Sequence, residues 1–254
     1  MAHFEMPVDE YMSSPVHTIE IGRSLVDAND AFLANSVSAL GVVDDQGALK
    51  GVVSRTDVLH GAVYGPGQTF RVPDRPVEEI MKSPAISVEA GAPLSRAAHA
   101  MVKERVHRVF VTKSGAIAGV VSTRDLMRAV VEKRIKTPIG DIASGSIVKV
   151  MAEDPIALAV DRLDLSNKHG LVVVEGGFPV GIFDQARALE SRRLPPDTPT
   201  EHAMSVHILI LPPNLPLGRA AAQALAMNAR RILIEDERGL TGIVGGLDFA
   251  RVMH

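Results

Sequence analysis

The sequence predicts an α+β protein built from four copies of one strand-helix-strand-strand-helix unit. Three observations carry that expectation. Residues 77–131 match residues 200–254 from end to end without a gap, which sets Met81 on Met204, Gly119 on Gly242 and Asp125 on Asp248. Within each copy the hydrophobic pattern switches from alternation, the period of a strand, to spacing by three and four, the period of a helix. The segment Gly-Val-Val-Ser-x-x-Asp stands twice, at 51–57 and at 119–125. Self-similarity of this length marks a repeat architecture rather than a single unrepeated fold.

The first copy, 8–62, opens VDEYMSSPVHTIEI and aligns with the second through a one-residue slip, Met12 on Met81 and Asp57 on Asp125. Its alternating stretch 17–21 reads as a strand. The second copy, 77–131, is the clearest: a strand at 86–88, then a helix opened by Pro93 and Ser95, with Leu94, Ala97, Ala98, Met101 and Val102 forming an apolar stripe. Strands at 109–112 and 116–122 follow, joined by Ser114-Gly115, whose residue types suit a tight turn. A last helix begins near Thr123 and carries Leu126, Met127 and Val130 on one side. The third copy, 138–191, is the most divergent, but Gly181 falls on Gly119 and VEGGFPVGIFDQARALE keeps the strand-then-helix pattern, with Gly176-Gly177 in the connecting turn. The fourth is 200–254.

A unit of about 55 residues has little interior, because the buried fraction of surface grows with chain length. Neighbouring units are therefore expected to pair, as 8–131 and 138–254. The joints 64–75, with Gly65-Pro66-Gly67, and 192–198, with Pro195-Pro196, fall inside the pairs, and 132–137 lies between them.

Composition narrows the function. Of 254 residues, 46% are hydrophobic and 22% charged, the balance of an ordinary globular protein. With 27 Lys and Arg against 30 Asp and Glu, and no block of like charge, nothing suits the chain to follow nucleic acid, whose binders show a basic face. The absence of cysteine excludes disulfides and thiolate chemistry. The start MAHFEMPVDEYM lacks the basic and apolar regions of a signal peptide, and no stretch has the length of a membrane helix, so a cytoplasmic protein is expected.

Easily read catalytic motifs are missing: no GxxxxGK[ST], no HExxH and no GxSxG occurs. His202 and His207 stand five apart and His17 aligns with no other His, so the histidines read as surface or core groups rather than metal ligands. No enzyme is expected.

The doubled motif has chemistry of its own. A Ser where a strand turns into a helix caps the first turn, and exposed amides there attract phosphate. An Asp three residues on, Asp57 or Asp125, accepts two hydrogen bonds, which suits paired ribose hydroxyls. The plainer reading is that Ser54 and Ser122 only cap their helices while the two Asp complement the helix dipole.

On these motifs, which recur over nearly the whole chain, the four units resemble CBS domains, named after cystathionine β-synthase. The resemblance implies two pseudo-twofold pairs, each with two clefts. It places Ser54 and Ser122 toward phosphate, Asp57 and Asp125 toward ribose, and adenine against the strands that hold Thr18, Leu40, Val42, Ser87 and Val109. His107-Arg108 resembles the His-Arg pair that meets phosphate in some CBS proteins, and Arg230-Arg231 stands at the same place in the fourth copy. Arg55 and Arg124 are further phosphate candidates, since a guanidinium matches phosphate oxygens.

The pattern then fails in places. The third copy has Asp184 for the Ser and Arg187 for the Asp, so its site is expected to be empty or altered. The fourth keeps Asp248 but has Gly245-Gly246 in the Ser segment, which leaves that site open to a ligand held by backbone amides. The resemblance implies a regulatory module that takes AMP first, or ADP or ATP, needs no cofactor, passes its state to another protein and forms a homodimer or a closed disc of four units. S-adenosylmethionine, NAD and a ligand-free interaction scaffold are the alternatives.

Overall fold

A computed structural model describes residues 4–61, 63–64, 70–144, 147–166 and 170–253; the expected joint Gly65-Pro66-Gly67 lies outside them. The first repeat runs β1 (Thr18–Glu20), α1 (Leu25–Ala34), β2 (Ala39–Val43), β3 (Leu49–Ser54) and α2 (Arg55–Gly61), followed by the short pair β4 (Val63–Tyr64) and β5 (Phe70–Arg71). The second has β6 (Ser87–Glu89), α3 (Leu94–Lys103), β7 (Arg108–Lys113), β8 (Ala116–Ser122) and α4 (Thr123–Glu132). The third has β9 (Lys149–Met151), α5 (Ile156–Leu165), β10 (Gly170–Glu175), β11 (Phe178–Asp184) and α6 (Gln185–Ser191), and the fourth β12 (Ile210–Leu211), α7 (Leu217–Ala226), β13 (Arg231–Asp236), β14 (Gly239–Gly245) and α8 (Gly246–Met253). The fold is therefore α+β, four repeats of strand-helix-strand-strand-helix.

Each repeat makes one three-stranded sheet in which the first strand lies parallel to the second and the third runs antiparallel to it. The turns between second and third strands follow from residue type. Ser114 and Gly115 have φ of 51° and 83°, and Gly176 and Gly177 have 55° and 91°, left-handed values that glycine adopts without strain. Pro93, expected at a helix start, is the N-cap of α3, and Ser24 caps α1 in a reciprocal box with Asp27. The stripe on α3 is buried through Leu94, Ala97, Ala98 and Met101.

Close packing divides the chain into two compact units. One comprises Met1–Val16, Ile86–Ile147 and Ile208–His254, and so holds the second and fourth repeats; the other comprises His17–Ala85 and Val148–His207, with the first and third. In the former, α4 packs on α7 and α8, and α3 on α8; in the latter, α2 packs on α6. Each unit has its own hydrophobic core, built around Leu94, Met101, Leu126 and Phe249 in one and around Leu25, Phe32, Leu171 and Phe183 in the other.

Each unit contains lead-in segments that open a repeat, ahead of its first strand, but pack on a different repeat. Ser13 exchanges both backbone hydrogen bonds with Val120 of β8 (2.9 and 3.0 Å), and Lys82 does so with Val52 of β3 (2.9 and 3.0 Å). Ser144 pairs likewise with Ile243 of β14, and Ser205 with Ile182 of β11. The first repeat's lead-in thus closes the second repeat's sheet and the second's closes the first's, while the third and fourth repeats exchange lead-ins in the same way.

Candidate functional site

The strand-to-helix turn is the recurring feature of all four repeats. In the first, the backbone N–H of Ser54 donates to Asp57 Oδ2 at 2.8 Å, and the Ser54 hydroxyl donates to the same oxygen at 2.5 Å. In the second, the Ser122 N–H and hydroxyl donate to Asp125 Oδ2 at 2.8 and 2.7 Å. In the fourth, Gly245 N–H alone donates to Asp248 Oδ2, at 2.7 Å. All three carboxylates are buried, at 8%, 6% and 9% exposure. These bonds hold one oxygen of each carboxylate, Oδ2, and leave Oδ1 as the second.

A cation meets that second oxygen each time. Lys82 Nζ lies 3.5 Å from Asp57 Oδ1, reaching it from the lead-in of the next repeat, whereas Arg128 Nη1 meets Asp125 Oδ1 at 3.1 Å from one turn along α4. Arg251 does the same for Asp248. These three cations were not among the sequence candidates. Arg128 and Arg251 occupy the same register position, three residues after the Asp, and that recurrence is the signal that could have found them. Lys82 leaves no such signal, because its partner lies 25 positions away in the sequence.

The third repeat inverts the pair. Asp184 caps α6 by accepting from the N–H groups of Ala186 and Arg187 at 3.0 and 3.1 Å. Arg187 Nη2, at the Asp position, donates to Glu190 Oε1 at 2.7 Å, and Glu190 stands where Arg128 and Arg251 stand. The i,i+3 ion pair survives with its charges exchanged. The turn therefore presents a guanidinium where its sisters present a carboxylate.

The sheets place the remaining candidates on two opposite faces. Leu40, Val42 and Val109 have 1%, 0% and 0% exposure and point into the cores, so these side chains pack the interior and leave only their backbone to any ligand. Thr18 and Ser87 are exposed at the start of β1 and β6, beside Gly41 and Phe110 on the face away from the core. Arg108 stands directly opposite Ser122 across β7 and β8, one residue before the core-facing Val109, and Arg231 stands opposite Gly245 in the same way. Ala39 and Gly170 hold that position in the first and third repeats. His107 precedes β7 and is half-buried, and Arg230 is exposed.

Two candidates are directed elsewhere. Arg124 donates from Nη1 to Asn228 Oδ1 at 2.7 Å and from Nη2 to the Leu225 carbonyl at 3.4 Å, closing the C-terminal end of α7. Arg55 donates to the Phe32 carbonyl at the end of α1, at 3.2 Å. Both guanidinium groups tie helix ends, where unsatisfied carbonyls collect. Among the described residues no group of three or more His, Asp or Glu is placed to hold a metal ion, and no helix is long and apolar enough to cross a membrane.

With this geometry in hand, comparison with known proteins gives consistent matches. The CBS domain family model matches residues 8–63 and 77–132. A CBS domain-containing protein of Dictyostelium discoideum is 32% identical over 128 residues, 47% of this chain and 88% of the relative. Subunit gamma-3 of the 5'-AMP-activated protein kinase of Sus scrofa is 33% identical over 114 residues, 42% of this chain and 22% of that protein. The chain spans only 22–34% of the length of the first curated relatives it matches. Among solved structures, protein MJ1225 of Methanocaldococcus jannaschii superimposes with a TM-score of 0.85 at 16% identity, over 98% of this chain and 100% of that one, a likeness of fold.

Proposed function

The chain belongs to the family of CBS-domain proteins, and from that premise we propose that it is a regulatory module that binds adenosine nucleotides, AMP foremost, and passes the bound state to a partner protein. The observation that carries this reading is the buried Ser-x-x-Asp turn of the first and second repeats, which holds one carboxylate oxygen rigid and sets the other beside a cation, Lys82 or Arg128. A rigid acceptor of that kind suits paired ribose hydroxyls, because no side-chain entropy is lost when they bind. Arg108 beside Ser122, and Arg231 beside Gly245, supply the cation that a phosphate needs. A single phosphate and a ribose match that set of groups, which is why AMP comes before ADP and ATP. The name of the kinase subunit that the chain resembles over 42% of its length points the same way.

The inverted third turn favours a different role for that repeat. A guanidinium there accepts no hydrogen bond from a ribose, so the third repeat serves as scaffold while the first, second and fourth carry the ligand chemistry. Association as a homodimer and a cytoplasmic setting complete the proposal. Titration calorimetry of the intact chain with AMP, ADP, ATP, S-adenosylmethionine and NAD tests it. Saturable binding of AMP is expected; binding of S-adenosylmethionine or NAD alone, or of none of the five, overturns it. The intact chain is the right material, because each core draws on residues from both halves of the sequence.

A further inference from the structure

Each lead-in segment places one residue against the last helix of the repeat on which it packs. Counting in register from the crossing residues Ser13, Lys82, Ser144 and Ser205, that residue is Tyr11, Ile80, Ile142 and Ala203. Three are bulky. Ile80 and Ile142 pack against the cores, and the Tyr11 ring is 5% exposed, with Arg128 5.7 Å from its centroid and its hydroxyl donating to Glu132. The fourth is a methyl group, and a cavity of about 220 Å³ lies there, lined by Ala203, Met204 and Leu194 together with Arg187, Glu190, Arg193 and His202.

We propose that this cavity is a binding site for a small aromatic acid, a single ring bearing a carboxylate or comparable anion, separate from the nucleotide chemistry proposed above. The sister position shows what the space accepts. In register, Ala203 replaces Tyr11, Glu190 replaces Arg128 and Leu194 replaces Glu132, so the missing side chain is a six-membered ring and the acidic group that held its hydroxyl has become apolar. The pocket is open to solvent on one side, and its volume leaves room for a ring and one substituent. Charge selects the substituent. Glu190 is matched by Arg187 at 2.7 Å, and Arg193 adds a second guanidinium to the same wall. The ring packs on Leu194, Met204 and Ala203, and the anion meets the basic groups.

The test is an NMR titration of the intact protein with benzoate, and with benzyl alcohol as the neutral counterpart, read at the Ala203 and Met204 methyl signals. Saturable shifts with benzoate are expected, with affinity about tenfold above benzyl alcohol, a difference of ~1.4 kcal/mol. Ala203→Tyr refills the space as Tyr11 does and should abolish the shifts, and Ala203→Leu, a smaller change, should weaken them if the tyrosine disturbs folding. AMP titrated into the same variants should bind as in the parent. Absence of saturable shifts at both methyls, equal affinity for the acid and the alcohol, or benzoate binding that survives both substitutions overturns the proposal.

Discussion

A Cβ on Gly181 would stand 2.8 Å from the carbonyl oxygen of Ser205 and would overlap Met204 Sδ. The same crowding recurs at Gly51 against Lys82 O (2.8 Å), at Gly119 against Ser13 O (3.0 Å) and at Gly242 against Ala143 Cβ (2.9 Å). The glycine that opens each motif is therefore fixed by the lead-in segment crossing its strand. Gly181→Ala should destabilise the protein by about 1–3 kcal/mol, because the blocking atom is backbone and moves only with the strand pair. Urea unfolding reads the change, and a stability equal to the parent's would mean the crossing segment yields.

Asp57→Ala and Asp125→Ala should each weaken AMP binding by about 1–3 kcal/mol through loss of the carboxylate acceptor, and each should also lower stability by removing the hydrogen bonds from Ser54 or Ser122. The two effects separate in the asparagine variants. Asn retains an oxygen that accepts from Ser54 or Ser122, so Asp57→Asn and Asp125→Asn should recover most of the melting temperature without recovering the affinity. Calorimetric titration beside thermal unfolding distinguishes the outcomes.

Arg108→Ala should weaken ATP and AMP more than adenosine, since the register sets this side chain beside Ser122, at the end of the turn proposed to meet phosphate. The gap should narrow as salt rises, because added ions screen the charge. Equal losses for all three ligands, or none, would remove Arg108 from the phosphate site.

Arg124→Ala and Asn228→Ala should each cost stability, with a coupling of about 0.5–1.5 kcal/mol in the double-mutant cycle, while AMP affinity stays at the parent value. Their hydrogen bond joins α4 to the end of α7 rather than to a ligand. A drop in affinity for the arginine variant alone would return Arg124 to the site.

Tyr11 has its phenol pushed up to about 12 by burial and, secondarily, by the hydrogen bond to Glu132. Ionisation is thus harder in the folded state than in the unfolded chain, so the stabilisation is complete below pH 10 and is lost as pH rises from there through about 12. The stability of Tyr11→Phe should fall less than the parent's over that interval, measured by denaturant unfolding at stepped pH.

Local periodicity and the register between copies carried the repeat count, the order of elements and the turns at Ser114-Gly115 and Gly176-Gly177, because each depends on residues within a few positions of one another. The same register located Ser54, Asp57, Ser122, Asp125 and Asp248, and extended by one turn it would have reached Arg128 and Arg251. Only the tertiary structure decided that lead-ins cross to other repeats, that the second repeat shares a core with the fourth and the first with the third, and that Lys82 reaches Asp57. It also turned Arg124 and Arg55 toward helix ends. The physical reason is sequence distance: a side chain's period reports which face it occupies, while the identity of what covers that face is set by segments tens of residues away, whose packing leaves no periodic trace.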